Sequence, residues 1–134
     1  MEREMNTTAV SCTAALALLQ FGMGWPISTL RNSRKQYIGY SNEPTDLLHK
    51  AVRAHGNTSE YSALLAVMFL YLGSRNPADW MIWSIVGATI CRYLYVIGMI
   101  AFPTMAKPNP VRFVGAGGTY TFGLALAYAM LVAG

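Results

Sequence analysis

A polar segment, Lys50-Ala51-Val52-Arg53-Ala54-His55-Gly56-Asn57-Thr58-Ser59-Glu60-Tyr61, leads without a break into the apolar residues 62–72. At about 100° per helical residue, Arg53, Asn57 and Glu60 share one stripe and Tyr61 flanks it. A charged side chain at bilayer depth costs roughly 3 kcal/mol and usually faces a bundle interior or a polar cavity. Two interpretations follow: an ion pair that locks helices together, or a pocket for a small zwitterionic ligand with carboxylates and an amine.

The composition indicates an integral membrane protein. The 134 residues, enough for one domain, are 54% hydrophobic and only 12% charged, and the mean hydropathy is +0.33. A soluble domain carries about twice that charged fraction. The net charge of +4 is modest and its basic residues are dispersed, which argues against nucleic-acid binding. Cys12 and Cys91 lie in apolar segments and do not suggest a disulfide framework.

Four hydrophobic segments predict a single all-α domain over residues 1–134, an integral membrane four-helix bundle. The expected helices cover residues 8–30, 45–72, 78–102 and 111–132, each long enough to span a bilayer. Pro26 is expected to bend or end the first helix, whereas Pro44 and Asp46 mark the start of the second. The second helix would be about 40 Å long, so its polar first half should project from the membrane or line a cavity.

Basic residues predict the orientation in the membrane. Most of them lie in or beside the loops 31–44 and 103–110, whereas Arg3 and Arg75 lie on the other side. The positive-inside rule places those two loops in the cytoplasm and both termini outside. Acidic residues cancel Arg3 near the N-terminus, so the first apolar run is expected to be a retained helix rather than a cleaved signal.

Small residues recur in the fourth segment. Ala125, Ala129 and Ala133 are spaced by four, with Gly123 and Ala127 beside them; nearer the start of the segment come Gly115, Gly117 and Gly118. Such a face allows close helix approach in lipid. The small-residue face could pack against another helix of the same chain or form an interface between copies of the protein, and both alternatives stay open.

Arg92 is the most deeply placed charge of the third segment and needs partners there. An ion pair with Glu60 is one solution. That pair would leave Arg53 and Arg112 without an acid at membrane depth, and a surplus of arginines favours an anionic ligand because guanidinium groups bind carboxylates in a bidentate manner. His49 and His55 are six residues apart on different helix faces, so no metal site is expected.

The run Arg53-Ala-His-Gly-Asn57-Thr-Ser-Glu60-Tyr61, together with four spans, resembles the MAPEG family, the membrane-associated proteins in eicosanoid and glutathione metabolism. The resemblance covers the whole chain. It implies a homotrimer that binds glutathione as co-substrate between neighbouring subunits near the cytoplasmic face. The glutathione contacts that it implies are Arg53, Asn57, Glu60, Tyr61, Arg92, Tyr95 and Arg31, and it assigns stabilisation of the glutathione thiolate to Arg112.

Two positions depart from the family pattern. Met99 replaces a tyrosine of the eicosanoid-handling members, and Phe113 replaces a Ser or Thr that sometimes follows the arginine of the fourth helix. Neither side chain can donate a hydrogen bond as a hydroxyl would. Glutathione binding remains the expectation, whereas eicosanoid specificity does not follow.

The sequence thus predicts a membrane-bound glutathione transferase of the microsomal type that acts in detoxification. Its thiolate would attack lipophilic electrophiles from the bilayer, and glutathione peroxidase activity stays open. The expected location is a bacterial inner membrane, with the glutathione site facing the cytoplasm. One alternative is a non-catalytic family member that binds lipid or a partner protein. The other, a small multidrug exporter, would require an acid in the first helix, which this chain lacks.

Overall fold

The computed structural model describes residues 4–134. Over this range the chain forms four α-helices and no strand: α1 (Thr7–Arg34), α2 (Leu47–Gly73), α3 (Asp79–Ile100) and α4 (Pro110–Val132). The predicted all-α fold of four helices is confirmed. Arg3, which the orientation argument places on the outer side, lies outside the described residues together with Met1 and Glu2.

Helix α1 continues past Pro26, where the sequence suggests a bend or an end. It reaches Arg34, and Lys35 closes it in the left-handed conformation. A proline inside a helix removes one hydrogen bond and crowds the residue four positions earlier. Here that residue is Gly22, whose carbonyl loses its helical donor, and membrane helices tolerate a proline where neighbouring groups or local adjustments satisfy the freed backbone. Pro26 is therefore accommodated, and α1 ends four residues later than expected.

Three helices, α1, α3 and α4, are long and apolar enough to cross a membrane. Helix α2 has 27 residues and is long enough to span a bilayer. Its polar first half keeps α2 below the apolar composition that the other three helices reach. Large apolar side chains on the outside of the bundle are exposed, among them Phe21 (79%), Trp25 (83%) and Leu131 (82%). An exterior of this kind is suited to lipid rather than to water.

Helices α2 and α3 form the middle of the bundle. Helix α1 packs on α2 and α3, and α4 packs on α3 and α2, whereas the backbones of α1 and α4 do not approach each other within residues 4–134. The backbone N–H of Asn6 donates to Gly73 O at 3.0 Å, which ties the start of α1 to the end of α2. One face of α2 therefore lies between α1 and α4 without a helix covering it.

Two apolar clusters hold the bundle together. The larger lies near the termini and takes buried residues from all four helices, including Leu16, Phe69, Ile85 and Leu126. The smaller, at the opposite end, consists of Ala54, Val96 and Met99 with partly buried neighbours. Asn57, Thr58 and Glu60 of α2 lie between the two clusters.

Glycines bring α3 and α4 into backbone contact. A Cβ on Gly98 would lie 2.6 Å from Arg112 Cα, and a Cβ on Gly115 would lie 2.7 Å from Tyr95 Cα. Gly118 is likewise too close to the Cys91 side chain to carry a Cβ. Only residues without a side chain permit this approach.

The small-residue face of α4 is divided between two environments. Ala129 is buried in the larger cluster and Ala133 packs against it, so packing within the chain accounts for these two. Gly123 has no neighbour within 4 Å of an added Cβ, and Ala127 is exposed. That part of the face stays open in the single chain.

Polar side chains complete two helix ends near the loops. Lys50 Nζ donates to Ile100 O (3.2 Å) and Phe102 O (2.9 Å) at the end of α3, where carbonyl groups lack helical partners. Asp46 caps α2 by accepting from the His49 N–H and pairs with Arg34 at 2.7 Å. The His49 N–H first, and the Arg34 guanidinium second, lower the pKa of Asp46.

The glycine contacts predict a difference between two neighbouring substitutions. Gly115→Ala should destabilise the protein by about 1–3 kcal/mol because its Cβ meets the Tyr95 backbone. Gly117→Ala, which meets nothing within 4 Å, should be neutral or slightly stabilising because alanine favours the helix. Thermal unfolding in detergent measures both. Equal shifts in the two variants would contradict the proposed backbone contact.

Candidate functional site

A cavity of about 320 Å³ lies where α2, α3 and α4 meet the α3–α4 loop. Its described lining contains two arginines, a tyrosine and no carboxylate. The lining residues are Arg53, Tyr95, Met99, Met105, Pro108, Asn109, Arg112, Phe113 and Ala116. The only ion pair among residues 4–134 is Arg34–Asp46, so neither cavity arginine is neutralised by a described acid. The cavity is therefore suited to an anion.

Arg112 lies on the first turn of α4, and its side chain reaches back over the α3–α4 loop. Its Nη1 donates to Met105 O at 3.0 Å and contacts Met99 Sδ at 3.8 Å, and its Nη2 donates to Lys107 O at 3.2 Å. These acceptors are neutral, so the hydrogen bonds orient the guanidinium without cancelling its charge.

Asn109 positions Arg112 and is a site residue that the sequence analysis missed. Its Oδ1 accepts from the Arg112 N–H at 2.8 Å, and its Nδ2 donates to Gly98 O at 3.0 Å. The side chain thus caps α4 and fastens it to α3. The sequence contained a signal, since Asn followed by Pro at the first helical position is typical of a helix start.

Arg92 is completely buried, at 0% exposure, and its partners are neutral. Its Nη2 donates to Asn57 Oδ1 at 2.7 Å, and Thr58 and Thr119 lie at 3.4 and 3.5 Å. The guanidinium carbon also stands 5.2 Å from the Tyr61 ring centroid and 4.9 Å from that of Tyr95. Cation–π contacts of this kind favour a desolvated arginine.

The Glu60–Arg92 ion pair considered from the sequence does not form. Glu60 is exposed, whereas Arg92 points inward from α3 to Asn57. On a helix, neighbouring positions of one stripe still differ in direction, and the rotation of α2 decides which side chain faces α3. That rotation turns Asn57 inward and leaves Glu60 on the uncovered face.

The structure brings together most of the residues that are predicted to contact glutathione. Arg53, Tyr95 and Arg112 line the cavity, and Asn57, Tyr61 and Tyr95 surround Arg92. Arg31 is not brought there: its Nη1 donates to Gln36 O and Gly39 O and holds the α1–α2 loop. Arg92 has no exposed surface in the single chain, and neither Arg92 nor Asn57 lines the cavity. Tyr95 is the residue that belongs both to the cavity lining and to the surroundings of Arg92. The ligand roles of all these residues stay predictions.

The two histidines have separate environments. His49 stacks on Tyr40 with ring centroids 4.4 Å apart, and His55 contacts Gln20 on α1. Among the residues that the structure describes, no group of three or more His, Cys, Asp or Glu side chains could hold a metal ion.

The hydrogen bond between Arg92 and Asn57 predicts non-additive mutations. Asn57→Leu should cost about 2 kcal/mol because it removes the closest acceptor of a buried cation. Adding Arg92→Met should restore part of this stability, since no buried charge is then left without an acceptor. Thermal unfolding of the single and double variants measures the coupling. Additive losses would show that the two side chains do not act as a pair.

A comparison with protein families supplies an independent finding. The model described as the MAPEG family matches residues 9–132. No curated protein and no solved structure matches the chain. The matched range extends from the first turns of α1 to the end of α4 and contains the cavity and the Arg92 cluster. The chain therefore belongs to the MAPEG family.

Proposed function

We propose that this protein is a membrane-bound glutathione transferase. The observation that carries the proposal is the cavity with two arginines and no described carboxylate, in a chain of the MAPEG family, which includes glutathione transferases. Glutathione carries two carboxylates, one amine and one thiol. A pair of guanidinium groups without acidic partners complements such an anion.

We assign each proposed binding residue to the part of glutathione that complements its charge. Arg53 would bind a carboxylate, since it is exposed, lines the cavity and takes no part in the ion pair found among residues 4–134. Glu60 would receive the amine, for which an exposed acid on the same face of α2 is suited. Asn57, Tyr61 and Tyr95 would supply neutral hydrogen bonds, and Arg92 would hold these three in place or contact the ligand after a small rearrangement.

Arg112 is the proposed catalytic residue. A guanidinium beside a thiol favours the thiolate and lowers the thiol pKa. Because arginine stays protonated, it stabilises the thiolate by charge alone, and the thiol proton leaves to water. The thiolate sulfur then forms a bond to an electrophilic atom of the lipophilic substrate, whose leaving group departs. A lipid hydroperoxide would make the same site a glutathione peroxidase.

The active assembly is proposed to be a homotrimer with glutathione between neighbouring subunits. The uncovered face of α2, with Glu60 exposed, and the open part of α4 around Gly123 and Ala127 are surfaces that a second copy would cover. Arg31, held by its own loop, would reach glutathione only from a neighbouring subunit. A bacterial inner membrane, with the cavity toward the cytoplasm, completes the proposal.

The second candidate is a non-catalytic family member that binds lipid or a partner protein. One observation favours it: the donors of Arg112 already engage Met105 O, Lys107 O and the Met99 sulfur. If the only role of Arg112 were to hold the α3–α4 loop, the cavity would bind an anion without activating a thiol.

Two arginine variants distinguish the candidates. With an activated aryl chloride as electrophile, Arg112→Ala should lower kcat at pH 7 by about 10–100-fold, because the thiol pKa should rise by about one to two when the guanidinium is removed. Its activity should recover partly at high pH, where the thiol ionises unaided. Arg53→Ala should instead weaken glutathione affinity and change kcat less. The measurements are kcat against pH and the dissociation constant of glutathione.

Lys107→Ala is the matched control for Arg112→Ala. It removes an exposed cation of the same loop that does not line the cavity, so its kcat should stay near the wild-type value. If both arginine variants lose only affinity, Arg112 is not the thiolate-stabilising group. An inactive wild-type protein that still binds glutathione would favour the non-catalytic alternative.

A further inference from the structure

A second cavity lies on the other side of α2, in the groove between α1 and α2. It has a volume of about 390 Å³ and is lined mainly by small or apolar groups, including Thr13, Ala17, Ala63 and Ala66. Its lining on α1 extends from Thr13 to Phe21, which corresponds to about 12 Å along the helix axis. Gln20 and Ser62 also line this groove.

Ser62 is the one buried hydroxyl side chain in the described part of the chain that has no hydrogen-bond partner. The described part of the chain buries five Ser or Thr residues. Ser84, Thr89 and Thr119 each donate to the carbonyl four residues earlier, and Thr58 accepts from Arg92. The Ser62 Oγ is buried without any partner, although the residue is only 6% exposed.

Gln20 contributes a second oxygen without a partner. Its Nε2 lies 3.1 Å from His55 Nε2, so the amide donates to the unprotonated ring nitrogen. Its Oε1 is buried and accepts no hydrogen bond. In a lipid environment no water is at hand to satisfy such groups, and each buried polar atom without a partner is costly.

We propose that the α1–α2 groove binds an aliphatic amphiphile whose head is an O–H group, an alcohol or a hydroperoxide. Gln20 Oε1 can only accept, so the guest must donate to it, whereas the Ser62 hydroxyl can donate to the guest oxygen. Gln20 and Ser62 line the same groove, and an O–H group offers both the donor and the acceptor that they need. An ether, ester or ketone offers no donor and leaves Gln20 Oε1 unpaired.

The shape of the groove favours a slim aliphatic chain over a helix from a second copy. A helix with side chains is about 10 Å wide, whereas the two oxygens lie below the surface, so a guest meets them only when the Ser62 hydroxyl and the Gln20 amide rotate toward the groove around a narrow head group. A volume of about 390 Å³ lies within the range of small-molecule sites. The inference does not depend on glutathione binding, because the groove shares no lining residue with the arginine cavity.

Photolabelling of the full-length protein in lipid nanodiscs tests the proposal. The probes are dodecanol with a diazirine in its chain and the methyl ether of the same molecule. The alcohol should label peptides that contain residues 13–21 and 59–66 saturably, and excess dodecanol should compete. Labelling by the ether should be weaker by about three- to tenfold, as expected for the loss of one hydrogen bond.

Ser62→Ala should reduce alcohol labelling to about the level of the ether. Ser84→Ala is the matched control: Ser84 is equally buried, at 7% exposure, but its hydroxyl donates to Trp80 O on α3. It should leave labelling unchanged. A loss of glutathione binding in Ser62→Ala is not expected, so the two sites can fail independently.

Equal labelling by alcohol and ether would overturn the proposal, as would equal labelling of the wild type and Ser62→Ala. An unlabelled groove with crosslinks between copies would mean that a second chain occupies it, which also contradicts the proposal. Gln20→Leu gives a second check, because it should lower alcohol labelling while leaving ether labelling largely intact.

Discussion

The site depends on the backbone contact between α3 and α4. Gly98 and Gly115 let the two helices approach so closely that a Cβ at either position would meet the opposite backbone. At this distance the Asn109 side chain reaches Gly98 O, which fixes where α4 begins. The first turn of α4 then carries Arg112 to the cavity wall beside Met99. A wider separation would remove both the cap and the cavity.

Arg92 sets the second constraint, because a buried cation must find acceptors within the bundle. It finds them in Asn57, two threonines and two tyrosine rings rather than in a carboxylate. This arrangement leaves Glu60 and Arg53 on exposed parts of α2. If Glu60 were paired with Arg92 inside the bundle, it could not bind a ligand. Because the partners of Arg92 are neutral, the Glu60 carboxylate and the Arg53 guanidinium both stay available on the outside of α2.

Much of this architecture follows from local sequence. The apolar segments predict the helices, Asp46 marks the start of α2 as expected, and Arg53 and Arg112, for which the sequence offers no acid at membrane depth, line one cavity. The failures concern side-chain direction. Periodicity does not determine how far α2 rotates toward α3, which is why the Glu60–Arg92 pair does not form. It also does not show that Arg31 is engaged by loop carbonyls, or that α1 continues past Pro26 to Arg34.

The central claim is that the arginine cavity binds glutathione as a thiolate, and calorimetry in buffers of different ionisation heat tests it directly. A thiol with an ordinary pKa of about 8.5 is only a few per cent ionised at pH 7. Binding as thiolate should therefore release close to one proton per glutathione bound, and Arg112→Ala should abolish most of that release. Binding without proton release, or no binding by the folded wild-type protein, would contradict the account.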